Sequence, residues 1–72
     1  MMYMVPVSSR NLEAVGYDEQ SKTLRIEFAN GTYDYYDVPK IVYQGLITAS
    51  SVNDYFMEYV KNKYRYSRIW FL

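Results

Sequence analysis

The sequence predicts an α+β domain: a three-stranded antiparallel β-meander followed by two α-helices packed on one of its faces. Three observations predict it. An Asn30-Gly31 pair stands between two runs of strand-forming residues, the hydrophobic spacing turns helical after Val38-Pro39, and a chain of 72 residues has room for one small core. The whole chain, 1–72, reads as a single domain with its core over about residues 5–66 and a basic, aromatic tail over 61–72.

The first strand, over 12–17, joins the second through the turn-rich Asp18-Glu19-Gln20-Ser21. Two registers compete for it. One faces Leu12, Ala14 and Gly16 to the core, the other Val15 and Tyr17, because a slip of one residue exchanges the faces. Both stay open here, and the burial of Tyr17 with them. The next two strands, over 22–29 and 32–38, flank Asn30-Gly31, a pair suited to the two positive φ angles of a type I′ turn. That turn would set Phe28 opposite Tyr33 and Ile26 opposite Tyr35, with Glu27 opposite Asp34 and Arg25 opposite Tyr36 on the other face. One face then carries Leu24, Ile26, Phe28, Tyr33 and Tyr35, the pattern of a half-buried sheet.

Pro39 suits the first turn of a helix, where a missing N–H costs nothing, and Val38, Val42, Leu46 and Ala49 recur at helical spacing. Gly45 within this segment costs about 1 kcal/mol relative to Ala, so its presence predicts the close approach of another element. Ser51 is the expected N-cap of the second helix, with Asp54 three positions on. Val52, Tyr55, Phe56, Tyr59 and Val60 form its apolar stripe, and it should fade between Lys63 and Tyr66. Lys61 and Lys63 near that end would complement the helix dipole.

Composition excludes much. Without Cys or His there is no disulfide framework, thiol nucleophile, zinc finger or imidazole base. No apolar stretch approaches the roughly 18 residues of a membrane span, and the amino end lacks a basic segment before a continuous apolar one, so a soluble, cytoplasmic protein is expected. Half the residues are apolar and 19% aromatic, which argues against disorder. The net charge of zero hides an asymmetry. Residues 1–60 hold four basic and eight acidic side chains, a sum of −4, whereas 61–72 hold Lys61, Lys63, Arg65 and Arg68 and no acid, a sum of +4.

The succession Ser8-Ser9, Val15-Gly16-Tyr17-Asp18, Leu24 and Phe28, Asn30-Gly31, Tyr33-Asp34-Tyr35, Val38-Pro39, Ala49-Ser50-Ser51 and Tyr55-Phe56 resembles the KTSC domain. That family is named for a module at the carboxyl end of some lysyl-tRNA synthetases and occurs also as small free-standing bacterial and phage proteins. The resemblance covers residues 5–66, and Tyr33 and Tyr35 match its central Tyr-x-Tyr. Val52 stands where the family favours glycine, and 69–72 extend past the pattern. The resemblance implies an RNA-binding role, through the synthetase attachment, and transfers no catalytic residue.

Among candidate sites, Tyr33 and Tyr35 read first as core packing, with ring inside and hydroxyl at the edge. On the other face, Tyr36 beside Arg25 forms a secondary candidate for stacking an unpaired base, although a cation–π and ion-pair cluster is the commoner meaning. Glu27 facing Asp34 would be a repulsive pair able to hold a hard cation; neutralisation by Arg25 or a tail arginine is the expectation, and no metal site. In the tail, Arg65 and Arg68 suit phosphates while Tyr64, Tyr66 and Trp70 suit bases. Its end is too apolar to stay in water, so it should dock on its own body, on a second copy or on a foreign partner.

The function expected is a non-enzymatic binding module for RNA or another nucleic acid, through Lys61, Lys63, Arg65, Tyr66, Arg68 and Trp70. The alternative is a protein-interaction or oligomer-forming module, phage or prophage encoded, that acts on a host protein or pairs through Ile69, Trp70, Phe71 and Leu72. An enzyme working with Glu27, Asp34 and Tyr35 lacks the usual acid–base and nucleophilic groups, so no catalytic residue and no cofactor is expected.

Overall fold

The computed structural model describes residues 2–70. They form β1 (Met4–Pro6), β2 (Leu12–Asp18), β3 (Thr23–Phe28), β4 (Gly31–Tyr35), α1 (Lys40–Thr48), α2 (Val52–Tyr59) and β5 (Tyr66–Ile69). The sheet is therefore five-stranded, in the order β1-β2-β3-β4-β5 and antiparallel throughout, where the sequence predicted three strands. The additions are its edges. β1 is three residues long and includes Pro6, which an edge strand tolerates because no ladder needs its N–H. β5 is the supposed tail, and it docks on β4 of its own chain, with Tyr66 opposite Tyr35 and Arg68 opposite Tyr33. The contact expected of Phe71 and Leu72 lies outside the described residues.

A bulge settles the open register of β2. Leu12 pairs with Phe28 but Ala14 with Glu27, so Glu13 is the extra residue and the faces exchange across it. Leu12 before the bulge and Val15 and Tyr17 after it all face the helices, and each competing register describes half of the strand. Tyr17 is half-buried, stacked on Tyr43 at 5.1 Å, and its hydroxyl donates to the Val38 carbonyl. Burial, and then the charge of Glu19, raises the pKa of that hydroxyl.

The β3–β4 hairpin lies where Asn30-Gly31 placed it, with a register shifted by two. Phe28 is opposite Gly31, Ile26 opposite Tyr33, Arg25 opposite Asp34 and Leu24 opposite Tyr35. The turn is Ala29-Asn30, neither with positive φ, so it is not type I′. Gly31 is needed for another reason. It begins β4 at φ +152°, a conformation that L side chains rarely adopt, and the Arg68 guanidinium packs 2.8 to 3.0 Å from where a Cβ would lie. The shift also replaces the expected Glu27–Asp34 repulsion by an Arg25–Asp34 attraction, leaving Glu27 opposite Thr32. A slip of two preserves side-chain direction, so Leu24, Ile26, Phe28, Tyr33 and Tyr35 still share the helix-facing side.

Both helices pack on that side. Val38 and Leu46 are fully buried, with Pro39 as the N-cap of α1. Gly45 lies against the ring and hydroxyl of Tyr55, and a Cβ there would collide with both, so the predicted close approach is that of α2 on α1. Ser51 caps α2 as expected, its Oγ accepting from the Asp54 N–H at 3.2 Å. α2 ends at Tyr59, short of the predicted 63–66, because Asn62 takes φ +64° and turns the chain back toward β5. Leu12, Val15, Leu24, Ile26, Tyr35, Val38, Leu46, Val52, Phe56 and Val60 make one core. Burying each aliphatic or Phe side chain among them contributes about 1.5–3 kcal/mol.

Candidate functional site

The helices do not cover the whole sheet. Beyond α2, the helix-facing sides of β3, β4 and β5 line an open groove of about 550 Å³. Strand alternation sends Phe28, Tyr33, Tyr35 and Tyr66 into it, and Phe56 of α2 closes one side. The rings are mutually braced: Phe28 meets Tyr33 at 5.7 Å and Phe56 at 5.4 Å, while Tyr66 lies 6.0 Å from Tyr33 and 5.7 Å from Tyr35. The rim is polar. Arg10 and Asn11 precede β2, Asn53 lies in the first turn of α2, Lys61 and Asn62 follow α2, and Asn30 comes from the hairpin turn. Among the described residues no carboxylate lines the groove, in a chain with eight acidic side chains, and the two charges found there, Arg10 and Lys61, are positive. Burial, and then Tyr66 and Tyr33, push the Tyr35 hydroxyl up to about 12, which favours its neutral form.

The six predicted site residues do not come together in one place. Lys61 and Tyr66 line the groove, Tyr66 with 59% of its surface exposed. Arg68 lies beside it. Its guanidinium donates to the Asn30 carbonyl at 2.7 Å, with the Tyr33 ring 5.8 Å and the Trp70 ring 4.1 Å away. Trp70 is 75% exposed, not sealed in the core. Lys63 is exposed in the turn after α2. Arg65 belongs to the opposite face, where it meets Asp37 at 3.3 Å and stacks over Tyr36 at 5.1 Å.

The secondary pairing of Arg25 with Tyr36 is corrected by the hairpin register. Arg25 instead grips Asp34 with two bonds, and the guanidinium on Tyr36 is that of Arg65. The Tyr36 hydroxyl bonds to the Ser67 hydroxyl, which ties β4 to β5 on this side. Glu27 and Asp34 do not face each other. Among the described residues no group of three or more Asp or Glu could hold a metal ion, and no helix is long and apolar enough to cross a membrane.

Sequence reasoning missed Arg10, Asn11, Asn53, Phe56 and Met57 as groove residues and read Tyr33 and Tyr35 first as core packing, with ligand contact second. Tyr35 is indeed buried, but Tyr33 is only partly covered. The signal that was present is the aromatic–polar alternation of Tyr64-Arg65-Tyr66-Ser67, which leads into a further strand and so a sheet wider than its helices.

A five-stranded antiparallel sheet with two helices on one face, and an aromatic groove left open beside them, defines a small α+β module. The KTSC domain family matches residues 8–64, and the chain belongs to that family. It is 40% identical over 63 residues to a protein of Tsukamurella paurometabola, covering 86% of this chain and 94% of that one. A lysine–tRNA ligase of Nostoc punctiforme is 30% identical over 59 residues, which span 81% of this chain and 10% of the ligase. The crystal structure of a KTSC domain protein from Yersinia pestis superposes with a TM-score of 0.95 at 34% identity, covering 97% of this chain and all of that one.

Proposed function

We propose that this KTSC domain is a non-enzymatic module that binds single-stranded nucleic acid, RNA first, with unpaired bases in the aromatic groove. The observation that carries the reading is the groove's composition: five aromatic rings, two cations and no acid. Rings of this kind accept any base by its π-face, at about 1–3 kcal/mol per stacked base, and exclude nothing by shape. Arg10 and Lys61 at the rim, with Lys63, Arg68 and Trp70 at its margins, provide the phosphate track and a further stacking surface. Likeness to a segment of a lysine–tRNA ligase favours RNA over DNA. Arg65 and Arg25 contribute least, since carboxylates of the chain already engage them.

The test is binding of labelled single-stranded RNA over a salt series. Each phosphate-neutralising cation adds about 0.7 to the slope of log affinity against log salt for single strands. Arg10→Ala and Lys61→Ala should each lower the slope by about that amount, and Tyr66→Ala should weaken binding at every salt concentration. Absence of binding at low salt overturns the reading.

A second reading rests on β5. It is an edge strand among the described residues, followed by an exposed Trp70, and an unpaired edge pairs readily with another strand. A protein partner or second copy docked there predicts a concentration-dependent mass in sedimentation that Trp70→Ala lowers. A monomer at all concentrations removes the second-copy form of it.

A further inference from the structure

We infer that the carboxamides of Asn11 and Asn53 form a base-edge reader on the groove wall, selecting unpaired bases by hydrogen bonding as well as by stacking. The inference rests on the nucleic-acid reading above and deepens it. Asn11 Nδ2 donates to Asn53 Oδ1 at 3.0 Å, joining the start of β2 to the first turn of α2, and both residues line the groove. A carboxamide has an oxygen with two acceptor sites and an NH₂ with two donors. Their mutual bond uses one donor and one acceptor. An oxygen on one residue and an NH₂ on the other keep capacity to spare, and exchanging which amide donates leaves the same pair of groups. No other hydrogen bond engages either side chain among the described residues.

Spare donors and acceptors on a lining that also carries aromatic rings complement the Watson–Crick edge of an unpaired base, which itself presents adjacent donor and acceptor atoms. In a duplex that edge is hidden by the partner strand. The lining carries no carboxylate to repel the accompanying phosphate, and Arg10 adjoins Asn11 in the chain, so a base held by the amides leaves its phosphate near a cation. The mutual bond restricts the rotamers of both amides, which lowers the entropy lost when a base docks.

The experiment uses the full chain and fluorescein-labelled oligoadenylate, oligocytidylate and oligouridylate, an abasic strand of equal length, and a mixed-sequence strand free or paired to its complement. The expected result is at least one base preferred over another by about tenfold, the scale of one good bidentate contact. The duplex and the abasic strand should bind worse than the free strand. Asn11→Ala and Asn53→Ala should each collapse the preference between bases while the salt slope stays unchanged. A purely structural role for the pair would lower melting temperature and affinity without changing the ratio between bases. Equal affinities for the three homopolymers, or a preference that survives both substitutions, overturns the inference and leaves the nucleic-acid reading intact, whereas tighter binding of the duplex, or an abasic strand bound as well as the free one, overturns both. If no strand binds at low salt, the underlying reading fails and this inference with it. A second copy filling the groove, seen as a concentration-dependent mass that Tyr66→Ala abolishes, also overturns it.

Discussion

Arg25 and Asp34 face each other across β3 and β4 on the side of the sheet away from the helices. Two bonds of 2.7 and 2.9 Å join them, and Asp34 is only 6% exposed. The hydrogen bond to Asp34 raises the pKa of Arg25, so its charge is permanent. The observed register is the one that forms this pair. The alternative two residues away would set Glu27 against Asp34, and like charges across a ladder oppose pairing.

Removing one partner should cost more than an ordinary surface ion pair. Asp34→Asn keeps the shape but leaves Arg25 without its counter-charge. Because Arg25 retains partial access to water, the loss should be about 1–3 kcal/mol, below the range for a fully buried pair. Urea denaturation measures it. A change within about 0.5 kcal/mol, typical of exposed substitutions, would show that turn and core set the register without the pair.

Replacing Gly45 by Ala sets two effects against each other. Helix propensity favours Ala by about 1 kcal/mol. The new methyl group, however, would run into the ring and hydroxyl of Tyr55, which stacks on Tyr59 at 4.6 Å and has limited freedom to withdraw. Overpacking of this kind typically costs about 1–3 kcal/mol, so the net effect should be destabilising. A double variant with Tyr55→Ala should be less destabilised than the sum of the two singles, and additivity would contradict the proposed contact.

High pH tests the environment of Tyr35. Burial among Tyr66 and Tyr33 favours its neutral form, with a folded pKa of about 12 against an ordinary value of 10.0. A pKa raised on folding gives stability that is complete below about pH 10 and lost as pH rises through about 12. The loss should be about 1–2 kcal/mol, given that the ring lies at the margin of an open groove. Tyrosinate absorbance should show a late-titrating group in the native chain that is missing in Tyr35→Phe. Coincident titration of both proteins would place Tyr35 in an ordinary aqueous setting.

Features set by near neighbours could be read from the sequence: the Ser51 cap from its place before Asp54, and the helical spacing of Val42 and Leu46, although Val38 and Ala49 of the same stripe fall outside α1, before its N-cap and at its C-cap. Gly45 was readable by a different logic, since a residue so unfavourable inside a helix requires a neighbour that needs the space. What escaped depends on residues far apart in the chain. β5 exists because Asn62 reverses the chain after α2, and it brings Arg68 against Gly31, a contact that no local turn rule contains. The groove escaped for the same reason. Its aromatics are visible as a strand face, but whether that face is covered depends on where two short helices end. Tail and body were read as opposed charges, yet the chain joins them through Arg65–Asp37 and through Arg68 on the hairpin turn.

Arg68 separates structure from binding most sharply, because it serves the first visibly and is proposed for the second. Its planar guanidinium donates to the Asn30 carbonyl, packs against Gly31, lies over the Trp70 ring and reaches toward that of Tyr33. A lysine ammonium has the charge but not the plane, so it cannot reproduce those contacts together. Arg68→Lys should therefore lower stability by about 1 kcal/mol, the scale of one hydrogen bond and an exposed cation–π contact. If the charge also meets a phosphate, Arg68→Lys should keep the salt slope of RNA binding, whereas Arg68→Ala should lower it by about 0.7. Equal slopes for native, Lys and Ala forms, with stability reduced in both variants, would confine Arg68 to pinning β5 against the hairpin and leave Arg10 and Lys61 as the groove's phosphate contacts.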